Sequence, residues 1–181
     1  MTYTLESLCK QYRQGKKPRF AFFWKPESGG RVGPGCLSQW QTAPFVVNGQ
    51  RYVSAEHFMM AEKARLFQDE SALRDILAAG SPPQIKQLGR AVRNFDEAVW
   101  ADRREDIVYR GNMAKFDQNP SLKAFLLETG NKVLAEASPH DRIWGIGLDE
   151  SAKAAKNPLL WKGLNLLGFC LMRVRDRALA P

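Results

Sequence analysis

The segment "PFVVNGQRYVSAEHFMMAEKARLF", residues 44–67, constrains the fold more than any other stretch of the chain. Two short β-rich runs flank Asn48-Gly49, a dipeptide that tolerates positive φ at both central positions of a tight hairpin. Ser54 then stands where an N-cap belongs, and Phe58, Met59, Ala61, Ala64 and Leu66 recur at helical intervals. Hairpin and helix in direct succession point to an α+β chain.

The remaining segments fill in that class. "FAFFW", residues 20–24, is short, apolar and aromatic and reads as a buried strand. Glycines 29, 30, 33 and 35 follow in a loop with Pro34; their GxxGxG order, and no helix expected behind them, argue against a dinucleotide-type phosphate cradle. Helices are expected over 69–79, 82–89, 95–117 and 120–129, because Gly80-Ser81-Pro82-Pro83 breaks one and Pro120 can start another. "KVLAEAS", 132–138, reads as a strand returning to the hairpin, and 159–179 as a one-faced helix entered around Gly163-Leu164-Asn165. Residues 1–19 form a basic lead-in with a turn or two of amphipathic helix, outside the core. With no repeat or linker, 20–181 is expected to be one helix-rich α+β domain with a small β-sheet.

Composition narrows the function classes. At 181 residues and 44% hydrophobic, the chain supports one well-buried core. No run reaches the roughly 20 apolar residues of a bilayer span. The first residues lack the apolar centre and cleavage site of a signal peptide, so a cytoplasmic protein without membrane partners is expected. Cys9, Cys36 and Cys170 are widely spaced without a CxxC and read as reduced thiols. His57 and His140 are the only histidines and form no HxH or HExxH, so neither a metal nor another cofactor is expected. No GxSxG elbow supports a serine hydrolase. A net charge of +8 favours a phosphorylated ligand, a small molecule ahead of nucleic acid, because the basic residues are spread out except in "RQGKKPR" and "RVRDR". Nothing in the sequence fixes an oligomeric state.

Several side chains can carry chemistry, each with a plainer alternative. Glu56, in the opening turn of the helix after the hairpin, either complements the helix dipole or is a carboxylate held rigidly in a cleft. Lys63 lies seven residues on, two helical turns, hence on the same face, unless it is simply solvated. Trp100 reads as core or as a stacking surface, and Arg110, Asn112 and Lys115 as pocket-lining residues or a solvated face. In "SPHDRIWGIGLDE", 138–150, Asp141 and Trp144 stand before two glycines: a carboxylate beside an aromatic platform, or a turn in which Asp141 bonds its own backbone.

"FFW", "CLSQW", "YVSAEHFMMAEKA", "GRAVRNFDEAVW", "YRGNMAKFDQNP", "DRIWGIG" and "GLNLLGFCLMRVR", in that order, resemble the NADAR, or YbiA-like, family over roughly Phe20 to Arg177. Gln39 departs from the asparagine common in the family, and the lead-in has no clear counterpart. The resemblance implies an N-glycosidase that cleaves the bond between ribose and a base-like group. Its substrates would be phosphorylated ribosylamino-pyrimidines of the early riboflavin pathway, or guanine bases of nucleic acid carrying ADP-ribose. Glu56, Trp100, Asp141 and Trp144 match its functional positions, with Lys63 and Asn165 as pocket residues. Such chemistry builds positive charge on C1′ and the ring oxygen, which one carboxylate can stabilise while another activates water or protonates the departing base. Lys63, Lys115 or Arg110 would neutralise phosphate, and Lys63 has a second possible role as a Schiff-base nucleophile. A non-catalytic module that binds ADP-ribose is the third alternative. On the family order, Asp141 and Trp144 form a pocket wall facing the ligand of Glu56, with His140 and Asp149 flanking it at the surface.

Overall fold

The computed structural model describes residues 3–179. Its backbone contacts divide the chain into two compact units, one comprising the chain up to Ser38 and from Ser121 onward, the other Gln39–Pro120. The described residues hold seven α-helices and four short strands, an α+β composition rich in helix, as expected. Among them no helix is long and apolar enough to cross a membrane.

The Gln39–Pro120 unit grows from the hairpin. Strands β1 to β4 are Phe20–Phe23, Phe45–Val47, Gln50–Tyr52 and Val133–Glu136. β2 and β3 pair antiparallel with Phe45 opposite Tyr52 and Val47 opposite Gln50, and Asn48 (φ 51°) and Gly49 (φ 77°) make the turn. The helices are α1 Leu5–Arg13, α2 Ala55–Leu66, α3 Glu70–Ala78, α4 Pro82–Arg90, α5 Glu97–Asp117, α6 Pro120–Glu128 and α7 Leu166–Leu179. Ser54 caps α2 by accepting from the His57 N–H at 3.2 Å. Residues 55–61 are all buried, two full turns with no solvent face, because α3, α4 and α5 all pack against α2. Gly111 lets α5 come close: a Cβ there would lie 2.6 Å from the Phe58 ring.

In the other unit β1 runs parallel to β4, with Phe20 opposite Val133 and Phe23 opposite Glu136. This corrects the expectation that 132–138 returns to the hairpin. Val133, Leu134 and Ala135 are all buried, and such a continuous apolar run suits a parallel strand covered on both faces. One of those faces is covered by α7. A second correction concerns the lead-in, which carries the nine-residue helix α1. Leu8 is buried, Tyr3 donates to Asp176 at 2.7 Å, and the Cys9 thiol reaches the Pro158 carbonyl. The lead-in is therefore part of this unit's packing. A third is that the glycine loop leads into a 3-10 turn, Pro34–Leu37, where Pro34 presets the first φ and Cys36 and Leu37 are fully buried.

Candidate functional site

Glu56 sits in the first turn of α2 and is 4% exposed. Its N–H donates to the Gln39 carbonyl at 2.9 Å, and the Gln39 side-chain oxygen accepts from Asn112 on α5 at 2.8 Å. Gln39 thus joins the start of α2 to the middle of α5. Asn112 also donates to the Val108 carbonyl at 2.8 Å, while its own Oδ1, buried, accepts from no group among the described residues. Lys115, one turn further along α5, is fully buried beside Phe116. Gln39, Glu56, His57, Asn112 and Lys115 are therefore all buried within this helical unit, with the side chains of Gln39 and Asn112 in direct contact. The solvated-face reading fails for Asn112 and Lys115.

His57 is locked as the neutral imidazole. Its Nδ1 accepts from the Val53 N–H at 3.2 Å, which leaves Nε2 to donate to the Ile76 carbonyl at 2.9 Å. Burial holds its pKa below the ordinary value, opposed by the bond to Ile76.

Lys63 is half-buried in an aromatic corner. Its ammonium lies 4.2 Å from the centre of the Phe95 ring and 5.8 Å from that of Trp100, and donates to the Gly89 carbonyl at 2.9 Å. Burial pushes its pKa down against the pull of Glu97. The structure thus brings Lys63 and the buried Trp100 together. Arg110 stays near the surface, held by Glu62 at 3.0 Å and Asp106 at 2.9 Å.

In the other unit, Asp141 makes the turn that its spacing allowed. Its Oδ1 accepts from the Ile143 N–H at 2.9 Å and the Trp144 N–H at 2.7 Å. The carbonyls of Arg142, Ile143, Trp144 and Gly145 then accept from the N–H groups of Leu164, Leu166, Leu167 and Asn165, which caps the start of α7. Gly163 lies so close to the Gly145 carbonyl that a side chain there would collide with it. Asn165 is fully buried with φ 56°; its amide donates to the Leu134 carbonyl at 2.9 Å and accepts from the Glu136 N–H at 3.0 Å. The indole of Trp144 is half-buried and has no hydrogen-bond or ring partner among the described residues. His140 is exposed and Asp149 half-buried.

Sequence reasoning missed two contributors. Phe95 stacks on Lys63 although it lies outside any regular apolar pattern. Gln39 stands out in the sequence only as a departure from the family, and no local signal marks it as the bridge to Asn112.

Comparison with known proteins identifies the family. The NADAR domain model matches residues 22–179. The N-glycosidase R617 of Acanthamoeba polyphaga mimivirus is 44% identical over 159 residues, covering 85% of this chain and 94% of that protein. The N-glycosidase YbiA of Escherichia coli strain K12 is 29% identical over 143 residues, 79% of this chain and 81% of that one. The NMR structure of E. coli YbiA superposes with a TM-score of 0.70 at 26% identity, over 90% of this chain and 86% of that one. The riboflavin biosynthesis protein PYRR of Zea mays is 35% identical over 134 residues, 70% of this chain but 20% of its own length. The chain belongs to the NADAR family, and as an enzyme it is a hydrolase acting on N-glycosyl bonds, which sets aside the purely ligand-binding alternative.

Proposed function

We propose that this N-glycosidase hydrolyses the C–N bond of phosphorylated ribosylamino-pyrimidines of the riboflavin pathway, without a metal or other cofactor. The observation that carries the reading is the buried Glu56, fixed at the start of α2 by the Ser54 cap and the Gln39 bridge. A carboxylate on so rigid a support need not reorganise as positive charge develops on C1′ and the ring oxygen. The riboflavin-pathway name of the maize relative supports the substrate class.

In the reaction the bond from C1′ to the exocyclic nitrogen breaks and a water oxygen bonds to C1′. One water proton passes to the departing amine, giving ribose 5-phosphate and the free aminopyrimidine. Glu56 faces the developing cation. The family resemblance gives Asp141 the role of second carboxylate, for which its turn leaves one oxygen uncommitted, and gives Trp144 and Trp100 that of stacking on the flat heterocycle. Lys63, Lys115 or Arg110 supplies charge toward the phosphate, and Asn112 offers its unfilled Oδ1 to a substrate donor. Asn165 acts through the backbone of β4 as a positioning residue.

The lowered pKa of Lys63 and its half-buried aromatic setting also favour a second route in which its amine attacks C1′ of the opened ribose, the aminopyrimidine leaves from C1′, and water hydrolyses the resulting Schiff base to ribose 5-phosphate. Borohydride during turnover would then fix a sugar phosphate on Lys63, and an unmodified chain by mass spectrometry rejects that route. The net charge of +8 favours ADP-ribosylated guanine as the alternative substrate. Purified protein is expected to release ribose 5-phosphate from the pyrimidine intermediates and to leave an ADP-ribosylated oligonucleotide intact. The reverse outcome selects the alternative.

A further inference from the structure

Within the unit that contains the chain's first residues, a groove of about 510 Å³ opens between α1, strand β1 and the 3-10 turn Lys153–Lys156. Its walls carry three cations, Lys17, Arg19 and Lys156, and three aromatic rings, Tyr12, Phe20 and Phe22, with no carboxylate among the described lining residues. We propose that this groove binds single-stranded nucleic acid, with bases stacked on the phenylalanines and phosphates held by the three cations.

Its geometry suits such a strand. Phe20 and Phe22 alternate along β1 and so share one face; their ring centres are 5.6 Å apart with planes 16° from parallel. Both rings are half-buried, leaving area for a further flat group. Phe20 is backed by Trp161 at 5.7 Å, and the Trp161 indole is itself fixed by donating to the Ala155 carbonyl at 2.8 Å. The platform is therefore rigid before a ligand arrives. Lys17 and Lys156 are exposed and have no carboxylate partner among the described residues, and Arg19 is steadied by neutral Asn131 at 3.1 Å, so all three charges are unneutralised. Cations alone would attract any polyanion. Paired aromatic faces beside them select one that carries unstacked bases, which a duplex keeps closed.

The groove joins Tyr12, Lys17, Arg19 and Phe20, which precede the family match beginning at residue 22, to Phe22 and Lys156 within it. It is independent of the substrate reading above, and either can fail without the other.

The test is fluorescence anisotropy of a labelled oligo-thymidylate with the full chain. Saturable binding is expected, with an affinity that falls with salt at a log–log slope near −2, as three phosphate contacts on a single strand would give. The double variant Lys17→Glu/Lys156→Glu should bind at least tenfold more weakly with a shallower slope. Phe20→Leu should weaken binding several-fold while leaving the slope unchanged. Lys17 and Lys156 are surface residues outside the proposed catalytic set, so retained N-glycosidase turnover in the double variant certifies its fold. Binding by that variant equal to wild type overturns the proposal, as does no saturable binding at all. Equal affinity for duplex, or displacement by thymidine monophosphate at equal phosphate concentration, would reassign the groove to bare charge or to a free nucleotide.

Discussion

The start of α2 and the loop from Asp141 to Ile146 both present a carboxylate near the beginning of a structured element, yet they treat polar groups in opposite ways. In the unit of Glu56, buried polar side chains bond to one another, as Gln39 and Asn112 do, with buried Lys115 a turn away along α5. Around Asp141, polar side chains serve the main chain: Asp141 caps Ile143 and Trp144, and Asn165 spans Leu134 and Glu136. The first arrangement concentrates charge and hydrogen-bonding capacity in side chains, which is what a reacting centre needs. The second fixes a backbone path. Activity should therefore be most sensitive at α2, and stability at the loop.

The largest expected effect tests the first half of that contrast. Glu56→Gln keeps the volume and the helix but removes the charge, and kcat should fall by about 10³. Asp141→Asn keeps the oxygen that accepts from Ile143 and Trp144, so the turn survives and only the charge is lost; kcat should fall by about 10², with an unchanged melting curve. Steady-state release of ribose 5-phosphate measures both. Full activity in Asp141→Asn would reduce Asp141 to a maker of turns.

The next effect reverses the readout. Asn165→Ala strands the Leu134 carbonyl and the Glu136 N–H and places alanine at φ 56°, a loss of about 3 kcal/mol by denaturant unfolding. Asn165→Asp retains the acceptor alone and should fall between the two. A stable Asn165→Ala would dissolve the contrast between the regions.

The same contrast explains what could be read from the residues. Asn48-Gly49 and Ser54 act on neighbours within four positions, so the hairpin and the entry to α2 were legible, and α3 to α6 fall within two residues of expectation. The partner of Val133–Glu136 was not, because it lies more than a hundred residues earlier and nothing local distinguishes Phe20–Phe23 from the hairpin as its mate. The docking of α1 was hidden for the same reason, since Tyr3 meets Asp176 and Cys9 meets Pro158. In the site, the helical spacing of Glu56 and Lys63 was visible, but the burial of Asn112 and Lys115 was not. Polar residues ordinarily mark a helix's wet face, and only the packing of α5 on α2 overrides that.

A smaller effect probes how tightly α2 is enclosed. Gly111→Ala directs a methyl at the buried Phe58 ring from 2.6 Å, and α5 can yield only by losing contact with α2. A destabilisation of about 2 kcal/mol is expected in chemical denaturation. A neutral result would mean that α2 is held less tightly than its burial implies.

The smallest effect concerns pH and falls on the α2 side of the contrast, at the buried His57. Burial depresses the His57 pKa from its ordinary 6.5, with the bond to Ile76 opposing. The native state therefore binds this proton less readily than the unfolded chain does. Stability from His57 is complete above about pH 6.5 and declines as pH falls from there toward the folded pKa, since protonating Nδ1 would turn it toward the Val53 N–H that it now accepts. Asp69 adds a lower window. Its bidentate pair with Arg93, the Arg93 N–H and its cap on Ala72 hold its carboxyl well below the ordinary 3.8, so its contribution persists through the His57 window and is lost only under stronger acid. Unfolding free energies measured from pH 7.5 to 4.5 should thus show a decline beginning near 6.5 that is absent in His57→Gln. A decline that survives His57→Gln would place the titrating group elsewhere and remove the proton-free lock from the start of α2.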